Sequence, residues 1–278
     1  MKFNSQELNA ARQNLFNKVV EYFFSKEGVE ALYLQGSVAA GSADEFSDID
    51  FRVVIQPKFY EQYISERFSA PQNWGEWLYN EWADRFWVCV SHFKPFNKID
   101  VVYLKLEELQ PSPWFLLPTK VIYDPQDLVR QVIKDSQKLK FTLLDSKEVD
   151  RMVSKGLAYA EEIYRRVMRD ELFYAQSQID SFRWILIQID DYFQNSLPCS
   201  GFGSPSHFEQ RGSKALIEVL KFSYTTLEKQ SMLQALCKLL KIYQQQVIKL
   251  HEIFSWNRDR AIDLYWIDIL LELCNDEL

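Results

Sequence analysis

Gly36-Ser37-Val38-Ala39-Ala40-Gly41-Ser42-Ala43-Asp44-Glu45-Phe46-Ser47-Asp48-Ile49-Asp50 joins the end of one apolar strand to the start of the next. Gly36 has no Cβ, so the backbone there can come close to a phosphate. Ser37 adds a hydroxyl and a main-chain N–H, expected at a helix N-terminus where the dipole favours anions. Asp48 and Asp50 are two residues apart on an expected strand, which points both carboxylates from one face. They repel unless a cation lies between them, and magnesium prefers hard oxygen ligands together with phosphate. A third acid lies downstream in Lys98-Ile99-Asp100-Val101-Val102-Tyr103-Leu104, a β-branched apolar run. A carboxylate inside such a strand is costly to bury without a partner. If its strand neighbours that of Asp48 and Asp50, the three acids converge.

Working outward, residues 5–26 carry Leu8, Ala11, Leu15, Val19 and Tyr22 at helical spacing, with Ser5 as N-cap and Gly28 as terminator. A short buried strand over 30–35 leads into Gly36. The strand from Ile49 to Ile55 stops before Pro57, and a helix near 58–68 follows. Strands near 86–93 and 99–104 are joined by Lys94-Pro95-Phe96-Asn97 as a hairpin turn. This is an α/β pattern with a mixed sheet. Prolines 111, 113 and 118 break the chain, and residues 121–125 read as a last strand or an extended connector. From 126 onward the period is helical, with helices expected near 126–140, 147–175, 177–196, 212–228, 231–256 and 259–274 and a loop over 198–205. The expected organisation is an α/β (α+β) domain over 1–125 and an all-α helical bundle over 126–278.

The order Gly-Ser, Asp-Ile-Asp and then a lone strand Asp resembles the DNA polymerase β-like nucleotidyltransferase superfamily. The stand-alone bacterial enzymes with a helical second domain, such as the aminoglycoside and lincosamide nucleotidyltransferases, are the most similar branch. The resemblance is specific over residues 30–104 and a matter of pattern beyond about 125. It implies that Gly36 and Ser37 take the triphosphate, that Asp48 and Asp50 bind metal, and that Asp100 binds metal or acts as base. It implies two Mg2+ ions and transfer of an NMP group, AMP from ATP being the expected case, to a hydroxyl with release of pyrophosphate. The implied acceptor is a small hydroxylated molecule, aminoglycoside- or lincosamide-like. The alternatives are transfer to a protein partner, as an antitoxin-like activity, and a nucleotide-binding regulatory module with little turnover.

Several residues carry two readings. Arg52 lies on the face of Asp48 and Asp50, where it steadies the carboxylates or reaches a phosphate, or else forms an ordinary strand-end ion pair. Trp74, Trp77, Trp82 and Trp87 either pack a core or stack on a base or acceptor. Asp44 and Glu45 read as solvated loop acids. Ile179, Phe182, Leu186, Ile189 and Phe193 form a core stripe, with Asp180 and Arg183 beside it as surface. Arg165, Arg166 and Arg169 share a helix as a solvent face or a phosphate contact. His92, His207 and His251 have no metal-ligand spacing.

The chain of 278 residues can bury a sizeable core, and only 8 Gly and 9 Pro argue against low-complexity sequence. A net charge of −7 argues against a long nucleic acid as partner, because backbone binding needs a basic stripe. Cys89, Cys199, Cys237 and Cys274 lack CxxC pairing and read as reduced thiols. The N-terminal residues lack a signal-like apolar segment, and no run approaches the roughly eighteen apolar residues of a membrane span. A cytoplasmic location is expected.

Overall fold

The computed structural model describes residues 4–81, 87–140, 144–194 and 202–278. The chain divides into two compact units, residues 1–140 and 141–278. The first is built on a six-stranded sheet in the order β3-β4-β5-β2-β1-β6: β1 (Val29–Gln35), β2 (Ile49–Ile55), β3 (Trp77–Glu81), β4 (Val88–Phe93), β5 (Asn97–Lys105) and β6 (Lys120–Tyr123). The sheet is mixed: β2 and β5 run parallel, and every other neighbouring pair is antiparallel. No helix among the described residues is long and apolar enough to cross a membrane.

The alternation along β5 decides what each face of the sheet does. Asn97, Ile99, Val101 and Tyr103 are buried, while Lys98, Asp100 and Val102 between them are only half-buried. Side chains two apart share a face, so the apolar set joins Ile49, Phe51, Val53 and Ile55 of β2 in one core. Helices α1 (Ser5–Phe24) and α3 (Pro57–Glu66) cover it with Leu15, Val19, Phe23, Tyr60 and Tyr63. The opposite face is covered only in part. There Ala31, Tyr33 and Val54 pack with Leu109, Phe115 and Val129, the last on α4 (Leu128–Ser136). Because α4 packs on β1, it belongs to the first compact unit, although its period is that of the helices that follow.

Helix α1 is capped by Asn4, whose side chain accepts from Gln6 N at 2.9 Å. Ser5, the expected cap, is the first helical residue and its hydroxyl donates to Glu45 Oε1 at 3.0 Å. The helix stops at Phe24, and Gly28 lies in the turn beyond it. Edge strand β3 was not expected; among the described residues it pairs only with β4, and it is exposed at three of its five residues, so it lacks an apolar alternation.

The second unit packs α5 (Ser146–Met168), α6 (Leu172–Phe193), α9 (Lys229–Ile253) and α10 (Arg260–Asp276) around one core. Asp145 and Glu148 form a capping box that starts α5. The break after α5 falls at 169–171, with Asp170 at φ 59°, earlier than the 175/177 boundary expected. Ile179, Phe182, Leu186 and Ile189 are fully buried and Phe193 packs against them, so the stripe is core. Between α6 and α9, the helix expected over 212–228 is the shorter α8 (Lys214–Lys221), and a one-turn helix α7 (Phe208–Arg211) precedes it.

Arg183 is buried, not on the surface. Its Nε donates to Ser223 Oγ at 2.8 Å, Nη2 donates to Ser223 O, Nη1 meets Asp180, and the guanidinium lies 4.1 Å from the centre of the Tyr224 ring. Those contacts pin the chain just after α8. Arg165 and Arg166 are engaged with Glu161, and with Glu162 and Glu171. His251 is also structural: Nε2 donates to Asp263 Oδ2 at 2.9 Å and Nδ1 accepts from Trp256 Nε1 at 3.0 Å. Arg258 grips both oxygens of the same buried Asp263. Cys89, Cys237 and Cys274 are buried free thiols; Cys199 lies outside the described residues.

Candidate functional site

The register between β2 and β5 sets Asp50 directly beside Asp100 and Arg52 beside Val102. Like charges as direct cross-strand neighbours destabilise a sheet, yet this pair lies on the two central strands. One residue before β2, Asp48 reaches Lys98 on β5, with Nζ to Oδ2 at 2.8 Å. The same ammonium is 3.3 Å from Asp100 Oδ1. Arg52 Nη2 is 3.6 Å from Asp50 Oδ1. Three carboxylates from two adjacent strands thus share one face with two cations, leaving an excess of negative charge.

Burial and repulsion both work against the ionised acids. Desolvation raises the pKa of Asp50 above the ordinary aspartate value, and Asp48 adds to the shift while Arg52 and Lys98 oppose it. Asp100 is raised in the same way, chiefly by desolvation, with Lys98 opposing and Asp48 and Asp50 adding. For Lys98 desolvation opposes the charge, but the Asp48 hydrogen bond and the attraction of Asp100 and Asp48 outweigh it, so its pKa is raised. Acids held in an environment that resists their charge are candidates for a functional site.

Gly36 opens α2 (Gly36–Ala40), a helix of one turn, with φ +68°. A Cβ on Gly36 would collide with Asp50 Oδ2, so the Gly36 backbone lies against that carboxylate. The φ and the close approach both require glycine. Ser37 follows in the same turn, half-buried. The expected Gly36, Ser37, Asp48, Asp50, Arg52 and Asp100 are therefore gathered at one end of β1, β2 and β5. The loop between α2 and β2 is held by structural contacts. Asp44 accepts from Phe46 N and Ser47 Oγ, which hold its pKa low, and Arg12 donates to Asp44 O and to Ser47 O.

Oxygen donors of this kind suit a hard divalent cation. Asp100 Oδ1 is buried and accepts no hydrogen bond, which leaves a lone pair of that oxygen for another partner. As they stand, no three His, Cys, Asp or Glu side chains among the described residues close on one point; the Lys98 ammonium lies between Asp48 and Asp100 instead. Lys98 was missed as a site residue, although its place two before Asp100 puts it on the acids' face.

A cavity of about 370 Å³ opens on the same face beside the acids. Tyr33, Gln35 and Arg52 line it from the sheet, facing Trp87, Glu108 and Trp114. Gln35 is in register with Asp50 and donates from Nε2 to Trp114 O at 3.0 Å, which ties the cavity's far wall to the acid site. Burial pushes the Tyr33 hydroxyl up to about 12, against the nearby Arg52, so it is a neutral phenol. The four tryptophans thus divide. Trp74 is fully buried core, Trp77 bonds Asn80, Trp87 borders the cavity, and Trp82 lies outside the described residues.

Residues 17–127, which include every one of these strands and acids, match the family model for polymerase beta, nucleotidyltransferase. No curated protein matches the chain. Among solved structures, an aminoglycoside 6-adenyltransferase from Bacillus subtilis is 11% identical, with 95% of this chain and 97% of that chain covered and a TM-score of 0.43. A nucleotidyltransferase-like protein from Exiguobacterium sibiricum 255-15 is 13% identical, with 96% and 89% covered and a TM-score of 0.39. The match to a polymerase beta nucleotidyltransferase domain thus covers residues 17–127, less than half of the chain.

Proposed function

We propose that the protein transfers a nucleoside monophosphate from a nucleoside triphosphate, ATP being the expected donor, to a hydroxyl of a small organic molecule. The observation that carries this reading is the register of β2 and β5, which pairs Asp50 with Asp100 on the face that Asp48 and Gly36 adjoin. A structural sheet gains nothing from such a pair; a site for Mg2+ and phosphate needs it.

In this reading Asp48, Asp50 and Asp100 hold two Mg2+ ions. The metal, when bound, supplies charge stabilisation to the attacking and leaving oxygens of the phosphoryl transfer. Gly36 and Ser37 receive the triphosphate, with the Gly36 backbone free of a Cβ. Arg52 orients Asp50 and faces the cavity, where it meets an anionic or polar group. Asp100, on the neighbouring strand, would hold metal or take the acceptor proton; its buried Oδ1 accepts no hydrogen bond. The cavity beside the acids, with tryptophan and tyrosine walls and Gln35 and Glu108 as polar points, suits a hydroxylated ring compound of the aminoglycoside or lincosamide kind. The chemistry would be done within the first compact unit, which carries all of these residues. The reaction belongs in the cytoplasm, where nucleoside triphosphates are made.

Pyrophosphate release across a panel of hydroxylated acceptors, with and without Mg2+, tests the reading. Asp50→Asn keeps the shape and removes the charge, and is expected to lower release by roughly 10³-fold or more, since metal charge stabilisation contributes several kcal/mol. Nucleotide binding that needs Mg2+ but never yields pyrophosphate would leave a binding module in place of an enzyme.

A further inference from the structure

We propose that Lys98 is the resident counter-ion of the carboxylate cluster and that a divalent cation must displace it to be held by Asp48 and Asp100. This deepens the reading of a metal-dependent site and rests on it. The Lys98 ammonium is in hydrogen-bond range of Asp48, at 2.8 Å, and 3.3 Å from Asp100, so it holds the position where the charges of both acids converge. Its side chain is 34% exposed, which leaves it a path to swing outward.

A Mg2+-like ion takes carboxylate oxygens at about 2.0–2.1 Å, closer than the ammonium stands to either acid. As the carboxylates close on the metal, the ammonium would lie a few ångströms from a double positive charge in a partly desolvated site, and repulsion expels it. Lys98 therefore does two things. Without metal it offsets the repulsion between the acids that the sheet register imposes. With metal it sets a threshold, so that the cation is retained only where its binding outweighs the lost ion pairs.

The test is titration of the full chain with Mn2+ alone, read by electron paramagnetic resonance, for the wild type, Lys98→Met and Lys98→Arg. Lys98→Met is expected to bind Mn2+ roughly tenfold tighter, the effect of removing one nearby like charge at intermediate dielectric, and Lys98→Arg to behave as wild type. An unchanged or weaker affinity in Lys98→Met, with Mn2+ bound by the wild type, overturns this inference and leaves the metal site standing. If no version binds Mn2+, the metal-dependent reading falls and this inference with it. Should Lys98→Met fail to fold, acetylation of Lys98 in the wild type decides, read by peptide mass spectrometry against exposed Lys138 as reference. The Lys98 rate is expected to rise several-fold in Mn2+ over chelator, and an equal or slower rate refutes displacement.

Discussion

Gly36→Ala and Gly41→Ala form a pair that separates backbone strain from damage to the site. Both glycines have left-handed φ, +68° and +72°. An alanine in that region costs about 1–2 kcal/mol at either position. Around Gly41 a new Cβ meets nothing within 4 Å. At Gly36 it would collide with Asp50 Oδ2 and lie 3.1 Å from Asp50 Cγ, so either the carboxylate rotates away or the turn retreats. A displacement near 1 Å in reacting groups costs about 10²-fold in rate. Thermal unfolding of each variant is expected to show a loss of about 3–8 °C, from the usual relation of free energy to melting temperature in a unit of this size. Pyrophosphate release should stay near wild type in Gly41→Ala and fall about a hundredfold in Gly36→Ala. If Gly36→Ala matches Gly41→Ala in rate as well as in melting temperature, the contact with Asp50 plays no part in the working site.

The raised pKa values of Asp50 and Asp100 carry a sign. Between the ordinary aspartate value and the raised one the folded chain binds more protons than the unfolded chain, so this contribution to stability falls as pH rises through that window. In chelator, the melting temperature of Asp50→Asn minus that of wild type should widen with pH across that interval and then level off; a gap that narrows contradicts it. Asp263→Asn leaves the Arg258 guanidinium short of its bidentate partner in a buried cluster and should lower stability by about 3–5 kcal/mol in urea titration. Arg183→Leu removes the clasp on Ser223 and should lower stability by about 2–4 kcal/mol, given several lost hydrogen bonds to a charged group. Trp114→Ala, at a side chain 53% exposed, should change stability by less than about 0.5 kcal/mol yet raise the acceptor KM, measured by steady-state kinetics.

The strand bearing Asp100 was legible as a β-branched apolar run with one acid inside it. Which face the acid takes was not, and the structure supplies it: Ile99, Val101 and Tyr103 are buried while Lys98, Asp100 and Val102 are half-buried. Edge strand β3 shows the converse: a strand with little burial has no pattern to read. The helix ends were less legible than the helices. Asn4 and Ser5 are both good caps, and only the contact of Ser5 with Glu45, forty residues away, draws it into the first turn. The break at Asp170 depends on a left-handed aspartate, which no periodicity announces. Arg183 looks like surface in sequence, because its partners on the 223–224 segment come from a turn forty residues on.

For the candidate site, spacing alone placed Asp48, Asp50 and Arg52 on a face, but only the parallel register of β2 with β5 pairs Asp50 with Asp100. That register also explains why the site needs the cations it has. Two acids forced side by side on central strands destabilise the sheet, and the chain answers with a lysine and an arginine one step to either side along the same face. Arg52 offsets Asp50 without standing between the acids, whereas Lys98 stands between Asp48 and Asp100. A purely structural solution would replace one acid by a neutral residue and need neither cation. Keeping three acids and two cations within one patch costs folding energy that a ligand-free protein never recovers. In the proposed reading a stronger cation takes over the acids when it binds, and Lys98 is the group that gives way to it.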